Sequence, residues 1–287
     1  MINFRFVKSQ FKNIKIPLIL FFIILCILIA PILTQDYLAP TMTLIGEEHG
    51  VSGLGGLGGM NYLNFVFFGI PGLILIFSFS LILNHILVSK EIDKGYLASW
   101  LTMPMSRKTI LNSKLFVLLF SILILYGSVF VFQLIIFPIR FQDFKLQEFG
   151  YLVLYNLGLI LLALLWASIN WTFISYFNKS VISLSVATCI STVFILFQTM
   201  TLFSSMPGLE YLKYFKYMTI ASLFNSPFKF GDIPNIRPAP GVTEVAKAPL
   251  FSIRALDFAW QYPIMLIVPL GLFPLGNYFL IKKDLSL

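Results

Sequence analysis

The sequence predicts an all-α integral membrane protein with six transmembrane helices, and three observations lead there. Apolar residues make up 58% and charged residues 11% of the 287 positions, too few polar side chains to cover a globule of this size. Runs of about 20 apolar residues recur along the chain, the length an α-helix needs to cross a bilayer, whereas barrel strands would show about ten-residue alternating segments. Charged residues gather between those runs rather than inside them. Residues 1–287 therefore read as a single transmembrane domain.

The chain opens on a basic amphipathic segment, residues 2–15. Phe4, Val7, Phe11 and Ile14 recur at helical spacing and Arg5, Lys8, Lys12 and Lys15 flank them, which suits an amphipathic N-terminal helix lying in the headgroup plane. No small-x-small cleavage site follows, so the next run reads as an uncleaved first span, about 16–33. Residues 34–61 carry Asp36, Glu47 and Glu48 but no Lys or Arg. Gly53, Gly55, Gly56, Gly58 and Gly59 in this loop lack the Lys-Ser/Thr ending of a phosphate loop and read as a plain linker.

The second span is about 62–88, where Pro71 with Gly69 and Gly72 predicts a kink, and the third is about 115–137, ending at Pro138. The fourth and fifth, about 149–177 and 181–203, are separated only by Asn178 and Lys179 and must form an antiparallel hairpin. Trp166 and Trp171 near the far end of the fourth serve either as interface anchors or as packing. Residues 204–257 form the longest connection and contain six prolines; Tyr211, Phe215 and Met218 share a helical face there, which predicts an interfacial helix before an irregular segment. The sixth span, about 258–281, is interrupted by Pro263, Pro269 and Pro274.

Orientation follows from the basic residues. Arg5, Lys8, Lys12, Lys15, Lys90, Lys94, Arg107, Lys108, Lys114, Lys179, Lys282 and Lys283 fall on one side of the six spans, against Arg140 and Lys145 in the first two loops of the other. The side rich in Lys and Arg is cytoplasmic. Residues 204–257 hold six more, but a connection of that length weakens the rule. Both termini and residues 89–114 are thus expected in the cytoplasm, the chain in the cell membrane, and 204–257 outside. The net charge of +8 points to the anionic lipid surface, because the basic residues sit at the ends of apolar runs; it does not point to nucleic acid. Cys26 and Cys189 lie inside apolar runs and read as buried small hydrophobes, with no disulfide framework.

Residues 89–114 form a polar island between two apolar runs, the one stretch suited to a soluble partner. Ile92, Tyr96, Trp100 and Met103 recur at helical spacing, and Lys90, Glu91, Asp93 and Lys94 charge the first turns, which predicts a short amphipathic helix. Pro104 ends it, and Ser106 is placed to cap the next helix.

Catalytic chemistry has few candidates. No proposed span contains Asp, Glu, Lys or Arg in its interior, so the intramembrane carboxylate typical of an ion-coupled carrier is missing, as is a nucleophile paired with a base. His49 and His85 lack Cys or carboxylate at ligand spacing, which gives no metal site. Asn84, Gln133, Asn156, Asn170, Gln198 and Asn277 lie in the spans, where such groups mostly hydrogen-bond between helices.

Glu91 with Gly95, then Pro104, Ser106-Arg107, Ile110-Leu111 and Lys114 resembles the cytoplasmic coupling segment of ABC-2 type permeases, the membrane subunits of a large class of ABC transporters. A basic amphipathic start, six spans, a large segment before the last span and a Phe279-x-x-Lys-Lys-Asp-Leu ending agree with that family. Asn112-Ser113 stands where the family often has a glycine before the lysine. The resemblance implies a cytoplasmic coupling helix between spans 2 and 3 that docks on separate ABC ATPase subunits, with Glu91, Gly95, Tyr96, Trp100, Pro104, Arg107 and Lys114 as coupling residues. It also implies a second permease subunit, as a homo- or heterodimer, and export as the direction of transport. The chain has no G-x-x-x-x-G-K-[ST] sequence, so ATP and Mg are expected in the partner ATPase and no cofactor in this chain. The alternative is a non-transporting membrane anchor that passes ATPase motion to an extracytoplasmic partner.

Overall fold

A computed structural model describes residues 2–30, 67–93, 105–140, 146–177, 179–205, 208–224 and 255–282. The described residues contain no strand, and six of their helices are long and apolar enough to cross a membrane, the make-up of a multi-pass membrane protein. These are α1 (Phe4–Ile29), α2 (Ile70–Asn84, continued by a π turn His85–Ser89), α3 (Arg107–Arg140), α4 (Leu146–Tyr176), α5 (Ser180–Leu202) and α6 (Ala255–Lys282).

Expected and observed ends differ for identifiable reasons. The break expected after residue 15 is absent: α1 runs unbroken through Pro17. Asn3 starts it, accepting the amides of Arg5 and Phe6 on its side-chain oxygen, which satisfies two donors that the first turn leaves free. Val7, Gln10, Ile14, Phe21, Leu25 and Ile29 form its buried face, while Phe4 faces outward. Pro71 does not kink α2 but begins it: Gly69 is the N-cap and Pro71 lies in the first turn, where a missing N–H costs nothing. A side chain at Gly72 would strike the Phe67 carbonyl, so glycine permits that close return of the chain. The third helix starts at Arg107, earlier than the expected span, and runs past Pro138 to Arg140. Its start follows the expected cap, with Ser106 Oγ accepting the Thr109 amide at 3.2 Å.

Helices of equal direction pack side by side. Phe68 meets Tyr155, Phe77 meets Trp166 and Asn170 reaches Ser80, so α2 and α4 run parallel. Tyr262 donates to the Leu154 carbonyl and Trp171 to Asn277, which sets α6 parallel to α4 as well. Asn3 against Ser113 and Phe11 against Phe120 make α1 parallel to α3. Two glycines let these backbones close up, as small residues do between membrane helices. A Cβ on Gly158 would lie 2.5 Å from the Tyr262 hydroxyl, and one on Gly276 2.5 Å from Trp171 Cδ1. Trp166 and Trp171 are fully buried and belong to packing. Cys26 is half-buried and Cys189 exposed on α5, against the expectation that both are buried.

The polar residues of the spans mostly tie helices together. Asn156 donates to Gln133 Oε1 at 2.7 Å, joining α4 to α3. Asn277 accepts from Trp171 at 3.2 Å and donates to Asn112 at 3.4 Å, joining α6 to α4 and α3.

The helix expected after the fifth span is not α-helical. Residues Glu210–Met218 form a nine-residue 3-10 helix and Ile220–Leu223 a further 3-10 turn. The face expected from Tyr211, Phe215 and Met218 is not shared: Leu212 is buried and Phe215 half-buried, while Tyr211 and Met218 are exposed. Within 204–257, residues 206, 207 and 225–254 lie outside the described residues.

Candidate functional site

One end of the bundle collects the start of α1, the end of α2, the start of α3 and the end of α6. Asn3 joins the first to the third: its amide donates to Ser113 Oγ at 3.0 Å and its Nδ2 to Met105 Sδ at 3.0 Å. Ser113 Oγ in turn donates to the Thr109 carbonyl. Asn112 reaches Asn277 in α6, and Tyr176 at the end of α4 packs on Phe279. Arg5, Lys8, Lys12, Lys15, Lys90, Lys108, Lys179 and Lys282 are exposed at or near this end.

The second helix reaches this end through the π turn His85–Ser89, in which the Lys90 amide donates to the His85 carbonyl five residues back. Such widened turns are rare and recur at functional places. A short helical turn, Lys90–Asp93, follows. Lys114, on the second turn of α3, is fully buried, and its Nζ lies 2.5 Å from Glu91 Oε2 and 2.5 Å from the Leu87 carbonyl. Burying an ammonium costs several kcal/mol unless it is paired and hydrogen-bonded; here it has both. The pair and the carbonyl bond hold the polar segment's first turn against the third helix. Ser89 and Ser113 are buried beside these elements.

Of the residues expected to act in coupling, the structure joins Glu91 to Lys114 directly. Arg107 is half-buried at the first position of α3 and Ile110 and Leu111 are buried behind it. Gly95, Tyr96, Trp100 and Pro104 lie outside the described residues, as does Met103 of the expected amphipathic stripe, whose first member Ile92 falls in the turn Lys90–Asp93. The carboxylate of Glu91, expected to act in coupling to another chain, meets Lys114 of its own chain. Lys114 presents no surface for docking; its contacts include Glu91 and the Leu87 carbonyl. Sequence reading missed Asn3 and the Leu87 carbonyl; an Asn just ahead of an apolar-periodic run signals a cap, but no local pattern marks that carbonyl.

A second polar group lies deeper. Asn84 and Asn170 both direct Nδ2 to Ser80, at 3.5 Å and 3.2 Å from its Oγ, and all three side chains are buried. Among the described residues, no three His, Cys, Asp or Glu side chains gather as metal ligands.

No family model, curated protein or solved structure matches this chain.

Proposed function

We propose that the chain is the permease subunit of an ATP-driven transporter of the ABC-2 type, working as a dimer with separate cytoplasmic ATPase subunits and exporting its substrate across the cell membrane. The observation that carries this reading is the buried Glu91–Lys114 pair. It fixes the start of the polar segment to α3, while Ser106 and Asn3 fix its other end to α3 and α1. The two described ends of the polar segment, Lys90–Asp93 and residues 105–106, are thus held to the bundle, which is what a lever between an ATPase and the spans requires.

In this reading Tyr96, Trp100 and Arg107 contact the ATPase and Gly95 admits its backbone, whereas Glu91 and Lys114 are positioning residues that pass a displacement of the segment into α2 and α3. The path opens and closes as the two arrangements of the helices exchange, driven by differential binding of the nucleotide states of the partner. The basic end faces the cytoplasm, where the anionic leaflet attracts the lysines along α1. Apart from the basic first half of α1 and Lys114 near the start of α3, the interiors of the candidate spans carry no Asp, Glu, Lys or Arg, which supports an energy source outside this chain.

The test is ATP turnover by the purified chain with and without a co-purifying ATPase. No turnover alone and turnover with the partner is expected; hydrolysis by this polypeptide by itself would refute the reading.

A further inference from the structure

The sequence of the nine-residue 3-10 helix repeats with a period of three: Glu210-Tyr211-Leu212, Lys213-Tyr214-Phe215, Lys216-Tyr217-Met218. Each triplet is a charge, a tyrosine and an apolar residue. A 3-10 helix has three residues per turn, so side chains at i and i+3 stand directly above one another, and runs longer than three or four residues are uncommon. Here sequence and helix share one period, and the result is a three-sided prism. One edge carries Leu212 and Phe215 against the bundle, with the Phe215 ring stacked on Phe197 at 5.2 Å, and ends at Met218, which is exposed. The second carries Glu210, Lys213 and Lys216. The third is a straight row of tyrosines, 59%, 72% and 76% exposed for Tyr211, Tyr214 and Tyr217.

The depth of this row is set by what it rests on. Phe197 lies five residues before the last residue of α5, about 7.5 Å inside the helix end. Trp260, 53% exposed, lies five residues into α6 at the same end of the bundle. That end is shared because Phe224, just after the prism, packs with Tyr155, itself against Phe258. At the opposite end of α6, Tyr278 is exposed beneath Lys282 Nζ, 4.6 Å from its ring centre. Trp260 and Tyr278 are 18 residues apart in one helix, about 27 Å at 1.5 Å per residue, close to the ~30 Å of a hydrocarbon core. Exposed aromatics at two levels with that separation match the two belts of a spanning protein.

We infer that the tyrosine row of residues 210–218 is a lipid anchor, seated in the phospholipid headgroup layer with its rings toward the acyl boundary, its hydroxyls among the headgroups and Lys213 at the lipid phosphates. Tyrosine suits this place because one end of the ring is apolar and the other is a hydrogen-bonding group. The inference is independent of the transport reading, since it needs only a bilayer.

The experiment places a nitroxide on single cysteines, Tyr211→Cys, Tyr214→Cys or Tyr217→Cys, each keeping two tyrosines, in a Cys26→Ser, Cys189→Ser background. The full chain is reconstituted in vesicles of phosphatidylethanolamine and phosphatidylglycerol, and access to oxygen is compared with access to a water-soluble nickel chelate. All three labels are expected within about 5–10 Å of the headgroup boundary. Labels open to the chelate as in bulk water, or broadened by a neighbouring label from a second copy, would overturn the inference. In a second variant, Tyr211→Ser, Tyr214→Ser and Tyr217→Ser are combined with a label at Lys213→Cys. The label is expected to move toward water; an unchanged depth would show that the row anchors nothing.

Discussion

Lys114 Nζ and Glu91 Oε2 approach to 2.5 Å although 23 positions separate them in sequence, and the lysine has no exposed surface. The contact closes the polar segment onto the helix that follows it. Removing one partner of such a pair takes a close counter-charge from the other. Lys114→Met is therefore expected to destabilise the detergent-solubilised protein by the lower end of about 3–5 kcal/mol, because Glu91 keeps some solvent contact. Glu91→Leu combined with Lys114→Met should recover part of that loss. Thermal unfolding checks both, and additive losses in the double variant would mean that the two charges do not support one another.

Two glycines, on α6 and α3, make an internal contrast. At Gly276 a methyl group would press on the buried Trp171, so Gly276→Ala is expected to cost about 1–3 kcal/mol by overpacking. Gly127, in the third helix, has nothing within 4 Å of a built Cβ. Gly127→Ala should be neutral or stabilising by up to about 1 kcal/mol through helix propensity. The same unfolding assay ranks the two, and an equal effect would remove close α4–α6 packing from the explanation.

Gln133 and Asn156 supply a polar bond between α3 and α4 at 2.7 Å. Gln133→Leu should lower stability modestly, by about 0.6 to 1.7 kcal/mol, as interhelical hydrogen bonds in membranes do, with Asn156 retaining the Leu152 carbonyl. A loss several times larger would mean that Gln133 holds more than this one partner.

The helices were legible in the sequence because bilayer thickness fixes the length of an apolar run, and each expected span overlaps an observed helix. Their ends were less legible. Proline at a first turn leaves the same mark in a sequence as proline at a kink, and Pro71 was misplaced for that reason; Pro138, read as the stop of the third span, lies in the last turn of a helix that runs two residues further. The triplet in 210–218 was read at a period of 3.6, which groups Tyr211 with Phe215; the period of three groups it with Tyr214 and Tyr217. Ser106 was found as a cap because its partner is three residues away. The Glu91–Lys114 contact depends on how two helices meet, and no local pattern encodes that.

Sidedness can be read by labelling. Single cysteines at Ser52 and Ser106, in a chain with Cys26→Ser and Cys189→Ser, are treated in intact cells with an impermeant thiol reagent. Ser106 is exposed at the basic end of the bundle and should react only after permeabilisation, whereas Ser52 should react at once. The reverse pattern would put the polar segment outside, away from any cytoplasmic ATPase.

The most direct measurement is the amount of ATPase retained on the detergent-solubilised complex when the polar segment is altered. Trp100→Ala and Arg107→Ala remove residue types that dominate interfaces, each able to cost about 2 kcal/mol, or about thirty-fold in affinity. Gly95→Trp adds bulk where the partner's backbone would approach. All three chains should insert and fold, because none of these positions lies in the apolar runs that drive insertion, yet each should lose most of its ATPase. Full retention by all three would contradict docking through residues 89–114 and leave that segment a solvated loop.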